Sequence, residues 1–358
     1  MTLKDYVVYR LTGKMAMDVS NAAATGLLNL RHSQWDDFSL ELAGLSHKQL
    51  PELASPITSL PCLTSKTARA IGLPERTPVI LGAGDGVLSN LGAGAIQPGQ
   101  AVTMIGSSGA CRTAVLHPGG GDPLCRTWSY PLVDGIWIWG GAENSGGLVL
   151  EWFLENFYQP DPHAASATDN LLEQVMVEAA AAPPGADGLV FLPYLFGERA
   201  PLWDESARGA FIGLSAKHQR RHLGRAVLEG TIFALFTVFT TLEDQVGPLN
   251  EVRPSGGYVR SPAWLQLQAD LFNREILVPD NYEGAAMGAA MLGHYALGGF
   301  PDLLSAARRI RQGFQPRPQA VGPYRRLSAI YEQAYTALRP VFTALRTLRE
   351  GNEKCSDG

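Results

Sequence analysis

Val79-Ile80-Leu81-Gly82-Ala83-Gly84-Asp85-Gly86-Val87-Leu88-Ser89-Asn90-Leu91-Gly92-Ala93-Gly94 is the stretch that decides the fold. Val79, Ile80 and Leu81 form a short apolar run suited to a buried strand, and the glycines at 82, 84 and 86 interrupt it. Val87, Leu88 and Leu91 then recur at helical spacing. A strand, a glycine turn and a helix are predicted, with one carboxylate, Asp85, in the turn. Its glycine neighbours carry no Cβ, so a ligand or another backbone can approach closely. Asp85 either caps the helix that follows or stands as a general base at a cleft.

Two further turns of this kind lie downstream. Ala101 to Ile105 and Cys111 to Leu116 read as the strands of a hairpin joined by Gly106-Ser107-Ser108-Gly109. Backbone N–H groups and two hydroxyls there could cradle a phosphate. The turn nearly matches a GxSxG hydrolase elbow, but Ala110 stands where the last glycine belongs and no Asp/His partners follow in context. Gly135 to Gly141 predicts a strand and Leu148 to Phe157 an amphipathic helix, with Asn144-Ser145-Gly146-Gly147 between them. Such a junction can present unpaired N–H groups to an anion. Val252 to Gly257 predicts a strand ending in Ser255-Gly256-Gly257, and Ser261-Pro262 opens the next helix.

The remaining elements complete an alternation. Helices are predicted at Leu3 to Leu11, 34–43, 46–51, 65–71, Ala164 to Ala182, His222 to Val246, Gly284 to Gly293 and Leu327 to Leu348. Asp18 to Asn21 reads as a polar loop, Leu189 to Leu192 and Ile276 to Val278 as strands, and Arg349 to Gly358 as a frayed polar tail. Small residues at 284, 285, 288 and 289 allow another helix to come close. Strands alternating with helices predict an α/β protein, with the turns near 85, 107 and 257 expected to converge on one polyanionic ligand.

Composition narrows the partners. With 358 residues the chain can hold two domains, and 46% apolar with 18% charged residues fits a packed globular protein. A net charge of −5 without a Lys/Arg run argues against nucleic acid and against an anionic membrane surface. The four cysteines have no CxxC spacing and the seven histidines no HxH or HExxH arrangement, so no metal site is expected. There is no signal-peptide pattern and no apolar run of about 20 residues. A soluble cytoplasmic protein is expected, its assembly left open, with a homodimer as one option.

Gly209-Ala210-Phe211-Ile212-Gly213-Leu214, seven residues, then His222-Leu223-Gly224-Arg225-Ala226-Val227-Leu228-Glu229 resembles the C-terminal signature of the FGGY carbohydrate kinases. The three glycine turns fall in that family's order. Within it, Asp85-Gly-Val-Leu-Ser-Asn-Leu-Gly, Gly197-Glu-Arg-Ala-Pro-Leu-Trp and Asp18-Val-Ser-Asn-Ala-Ala-Ala-Thr-Gly-Leu are most similar to the gluconokinases.

The resemblance implies an actin-like fold, two ribonuclease-H-like domains with ATP and sugar in a cleft between them. It makes Asp85 the catalytic base and Gly106, Ser107, Ser108 and Gly109 the second phosphate-binding loop. Ser255, Gly256, Gly257 and Ser261 match the adenosine-binding segment, while Asn144 and Gly146 fall near a helix start that faces the nucleotide. The implied reaction is ATP-dependent phosphorylation of D-gluconate with Mg2+. Arg199 is the candidate to hold the substrate carboxylate, a salt bridge with Glu198 being the competing role. For His222 and Glu229 a packing role is favoured.

The family's opening strand and Asp-x-Gly-Thr-Thr hairpin, which also supplies an aspartate for the metal, have no counterpart. Residues 1–96 are therefore expected to be a remnant of the N-terminal domain, 97–345 the C-terminal, nucleotide-binding domain and 346–358 a tail. Little or no kinase activity is expected from such a chain. Another FGGY specificity (xylulose, ribulose or glycerol) and a non-catalytic nucleotide- or sugar-binding remnant are the alternatives. A dinucleotide oxidoreductase fits worst, because the spacing of 82, 84 and 86 is not GxGxxG.

Overall fold

The helix Leu3–Thr12 starts from a reciprocal cap: the Asp5 N–H donates to Thr2 Oγ1 and the Thr2 N–H to the Asp5 carboxylate. It ends at Gly13, whose φ of +75° favours glycine. This is the first element of a computed structural model that describes residues 1–118, 122–158, 167–280, 283–305 and 310–356. The chain divides into two units that are not consecutive in sequence. Met1–Val102, Arg112–Trp139 and Pro279–Ile310 build one, so segments beyond the boundary placed at residue 96 pack with the first hundred residues. Thr103–Cys111, Gly140–Val278 and Arg311–Gly358 build the other.

In the first unit the strand Ala16–Asp18 pairs in parallel with Glu52–Ala54. The polar loop expected at Asp18 to Asn21 is instead the end of that strand and the start of the helix Val19–Ala24, because Asp18 caps it by accepting the Ser20 and Asn21 N–H groups. The helix expected at 34–43 is confined to Asp37–Leu42, since Gln34-Trp35 pairs with Leu28-Asn29. The one at 46–51 is a single tight turn, His47–Gln49. Val79–Ile80 pairs antiparallel with Ser59–Leu60 and leads into the helix Asp85–Ala93. Val87 and Leu91, fully buried, pack with Ile138, Met291 and Leu292 in this unit's core.

The helix Gly284–Ala296 meets the Asp85 helix backbone to backbone. A Cβ on Gly92 would overlap the Gly284 carbonyl, and one on Gly288 the Leu88 carbonyl. The small residues noted in the sequence therefore serve close helix packing.

Seven strands form one sheet in the order Ile310–Phe314, Glu275–Pro279, Glu251–Ser255, Gln100–Ile105, Gly109–Val115, Trp137–Glu143, Trp128–Pro131; Gln100–Val102, Arg112–Val115, Trp128–Pro131, Trp137–Trp139, Pro279 and Ile310 are counted with the first unit and the remaining strand residues with the second. Glu251–Ser255 and Glu275–Pro279 run parallel. The helix Arg220–Val246 is the one described helix long and apolar enough to cross a membrane, yet 78% of its apolar window is buried within the protein, as in a core helix.

The last helix runs Pro318–Ser356 rather than fraying after residue 348. It tolerates Pro323 and Pro340 in its interior because tertiary contacts hold it: the Tyr324 hydroxyl donates to Glu229 and the Tyr331 hydroxyl to Tyr194. Of the helix predicted at Ala164 to Ala182, Ala167–Ala180 is observed and 164–166 lie outside the described residues, as do 357–358 of the predicted tail.

Candidate active site

Asp85 is the first residue of its helix and is exposed, following Gly84 in extended conformation at the N-cap. One of its oxygens, Oδ1, accepts the Gly86 N–H at 2.7 Å. The turn before it is held from several sides. Gly82, with a φ of +75°, donates its N–H to the Pro56 carbonyl at 2.8 Å and accepts from Lys4 Nζ at 3.1 Å. Gly84 donates its N–H to Ser20 Oγ at 2.7 Å. Gly86 leaves room for a cation, since a Cβ there would lie 2.9 Å from Arg112 Nε. Arg112 is buried, and its guanidinium lies 5.7 Å from the centre of the Trp128 ring. Tyr130, stacked on Trp128 at 4.3 Å, shares this neighbourhood. Burial raises the Tyr130 phenol above its ordinary value, with Arg112 pulling it down and Asp85 pushing it up.

In the second unit the structure brings two of the sequence-predicted turns together. Gly106 and Ser107 are exposed at the hairpin tip, Ser108 is half-buried and Gly109 is buried. Ser255 ends its strand and Gly256 follows with a φ of +89°; a Cβ on Gly256 would lie 2.7 Å from the Ile105 carbonyl, one residue before the hairpin turn. Gly257 faces open space. Ser261 caps the helix Pro262–Phe272 through the Trp264 N–H. Beneath these turns Thr103, Tyr258 and Gln268 join in a buried hydrogen-bonded trio.

The junction at 144–147 behaves differently from expectation. The N–H groups of Gly147 and Leu148, the first of the helix Gly147–Phe157, donate to the carbonyls of Gly106 and Ser107 at 2.7 and 3.1 Å. A Cβ on Gly146 would run into the Ser108 backbone. These amides therefore seat the 106–109 turn from behind. Asn144 is committed to the loop that follows Tyr194: its N–H donates to Glu198 Oε1 at 2.6 Å and its Oδ1 accepts from Arg199 Nε at 2.7 Å.

Arg199, the candidate for a substrate carboxylate, also donates Nη2 to the Glu143 carbonyl at 2.9 Å. Its guanidinium is a tie between loop and strand, and Glu198 accepts only its backbone N–H. His222 and Glu229 serve packing: His222 Nδ1 accepts the Gln219 N–H, and Glu229 accepts from Arg225, Tyr324 and the Gly185 N–H.

The sequence reading missed Glu143. Its side chain is fully buried, and a Cβ on Gly109 would overlap its carboxyl. Burial pushes the Glu143 carboxyl well above the usual carboxylate range, the nearby Glu198 adds to the rise and Arg199 opposes it. Lys4, Asp18, Ser20 and Arg112 were missed as well. Among the described residues no group of three or more His, Cys, Asp or Glu is placed to hold a metal ion.

The sequence matches the FGGY family of carbohydrate kinases, its N-terminal domain over residues 1–92 and its C-terminal domain over residues 127–297. It is 36% identical over 353 residues to a gluconokinase of Bacillus subtilis, covering 98% of this chain and 69% of that protein. The chain belongs to the FGGY family of carbohydrate kinases. A xylulose kinase of the same organism is 32% identical over 351 residues, covering 97% of this chain and 68% of its own length. The crystal structure of gluconate kinase from Lactobacillus acidophilus superposes with a TM-score of 0.89 at 33% identity, over 96% of this chain and 69% of that one. The fold is thus the actin-like, two-domain α/β architecture of these kinases, and the chain is a carbohydrate kinase, a phosphotransferase with an alcohol acceptor. ATP is the phosphate donor of this family.

Proposed function

We propose that the chain transfers the γ-phosphoryl group of MgATP to the 6-hydroxyl of D-gluconate, with Asp85 as general base. One observation carries this: an exposed carboxylate at the start of a helix, in a turn whose glycines leave its surroundings open. A sugar hydroxyl is a poor nucleophile, and a carboxylate within hydrogen-bond reach is the minimal base for it. The hydroxyl oxygen bonds to the γ-phosphorus while the bond to the bridging oxygen breaks. The proton passes to Asp85, and ADP leaves with the electron pair.

Such a transfer asks a protein chiefly for positioning and for donors facing the phosphate oxygens. Gly106, Ser107, Ser108 and Gly109, with Ser255, Gly256, Gly257 and Ser261, supply backbone amides and hydroxyls for the nucleotide. Gly146 supports the first of these through its contact with the Ser108 backbone, and Asn144 ties the neighbouring loop at Glu198 and Arg199. Residues 1–96 thus carry the base, and 97–345 the nucleotide side. Mg2+ enters as the complex of the nucleotide, bound mainly by its phosphates.

Gluconate differs from xylulose by a carboxylate, and Arg112 packed against Gly86 supplies a cation next to Asp85. That favours an acid over a neutral polyol. Steady-state phosphorylation of D-gluconate, D-xylulose, D-ribulose and glycerol tests it; little absolute activity is expected, so the relative kcat/KM is read, with gluconate leading by about tenfold or more. Arg112→Gln should erase that lead, and Asp85→Asn should lower turnover by about a thousandfold. A preference for xylulose would overturn the substrate assignment; full activity of Asp85→Asn would overturn the mechanism.

A further inference from the structure

Asp18 is fully buried although it is charged, and its partners explain why. Oδ1 accepts the N–H groups of Ser20 and Asn21 at 3.0 and 3.1 Å and the Ser20 hydroxyl; Oδ2 accepts Asn21 Nδ2 at 2.8 Å and is paired with Lys4. A helix cap needs only the first two of these. The others lead away from the helix. Ser20 Oγ donates its hydrogen bond to Asp18 and so presents its lone pairs to the Gly84 N–H, 64 residues along the chain. Lys4, neutralising Asp18, also donates to the Gly82 carbonyl at 3.1 Å, 78 residues along. The buried carboxylate is therefore wired to the two glycine peptide groups that precede Asp85.

We propose that Asp18, acting through Ser20 and Lys4, is a positioning residue that fixes the Gly82–Gly84 backbone and thereby the place of the Asp85 carboxylate. This rests on Asp85 being the base. Charge-assisted hydrogen bonds in a water-poor site are stronger and shorter than neutral ones, and a serine polarised by a buried carboxylate is a better acceptor for the Gly84 amide than water is. Without the clamp Gly82 and Gly84 are free to sample their wide conformational range. Misplacing a catalytic group by about 1 Å can cost a hundredfold in rate.

The test uses Ser20→Ala and Asp18→Asn in the whole chain, with Asp36→Ala as control. Asp36 caps another helix of the same unit by accepting the Ser39 N–H and hydroxyl, so its loss matches the cap energy without touching the Asp85 turn. Amide hydrogen exchange at residues 82–86 should speed up about tenfold or more in both variants, and not in the control. Sugar phosphorylation should show kcat falling by about tenfold or more, with KM for ATP within about twofold of wild type and Ser20→Thr recovering most of the loss. Unchanged exchange at Gly84 in Ser20→Ala would overturn the proposal. So would a kcat loss that only follows thermal stability, as in Asp36→Ala. Retained turnover in Asp85→Asn would instead sink the assignment of the base, with the exchange result still reporting on the clamp.

Discussion

The glycine turns at 82–86 and at 106–109 look alike in the sequence and are built differently. In the first, side chains do most of the holding: Ser20 and Lys4, both bonded to the buried Asp18, meet the Gly84 N–H and the Gly82 carbonyl, beside one backbone bond from the Gly82 N–H to Pro56. What the turn exposes is a side chain. In the second, backbone holds backbone: the carbonyls of Gly106 and Ser107 accept the amides of Gly147 and Leu148, and the glycines at 146 and 147 make the fit possible. What that turn offers is main chain. A glycine in such a turn thus has two uses: to free a neighbouring side chain, or to let two stretches of backbone touch.

The largest effect should come from breaking the backbone seat. Gly146→Ala places a methyl group against the Ser108 main chain, which has no rotamer to escape to. A loss of about 3 kcal/mol in unfolding free energy is expected by denaturant titration, with nucleotide binding weakened by calorimetry. Gly257→Ala, facing open space, should change stability by less than about 0.5 kcal/mol. Equal effects from the two would end the distinction between contact glycines and open ones.

A smaller effect concerns charge behind the second turn. Glu143 is held protonated by burial and by Glu198, so its folded-state pKa stands above the unfolded one. The unfolded chain then gives up this proton first, and stability falls as pH rises from the ordinary carboxylate range toward the raised value. Glu143→Gln removes that penalty. Thermal melts should show the variant gaining stability over wild type as pH increases from about 4 to 7, by several degrees at the upper end. A parallel pH dependence in the two proteins would mean that Glu143 is ionised in the fold.

A local effect should appear at Ser261, whose hydroxyl caps a helix through one amide. Ser261→Ala is expected to cost about 1 kcal/mol, read by the same melts, and to leave exchange at the Asp85 turn unchanged.

How much of this was legible in the sequence follows the same division. Strand–glycine–helix units declare themselves by local pattern, so the elements around Asp85, Gly106 and Ser255 fall close to where they were predicted. Ser261-Pro262 was read correctly for the same reason: a cap and its helix are neighbours in the chain. The clamp on Asp85 joins residues 64 and 78 positions apart, and no local signal announces such a pair. One clue was present, since Asp18 followed by small helix formers is a cap signature that was read as a loop. Arg199 shows the reverse limit of local reading. A guanidinium in a loop rich in polar residues suggested a ligand, and only the fold reveals that Asn144 and the Glu143 carbonyl use it. The final helix was predicted over Leu327 to Leu348, through Pro340 but without its first turns and its last; Pro323 argues locally against those first turns, and the Tyr324 and Tyr331 contacts that hold the helix lie far apart in the chain.

The seam between the Asp85 helix and Gly284–Ala296 sets a limit on how Asp85, the proposed base, can move. Where main chain abuts main chain, no rotamer hop can absorb a displacement. Any shift of the carboxylate must drag the neighbouring rod along as one stiff piece, and, if Asp85 is the base proposed, selection for a different sugar would have to work through the side chains around that piece rather than through its tilt.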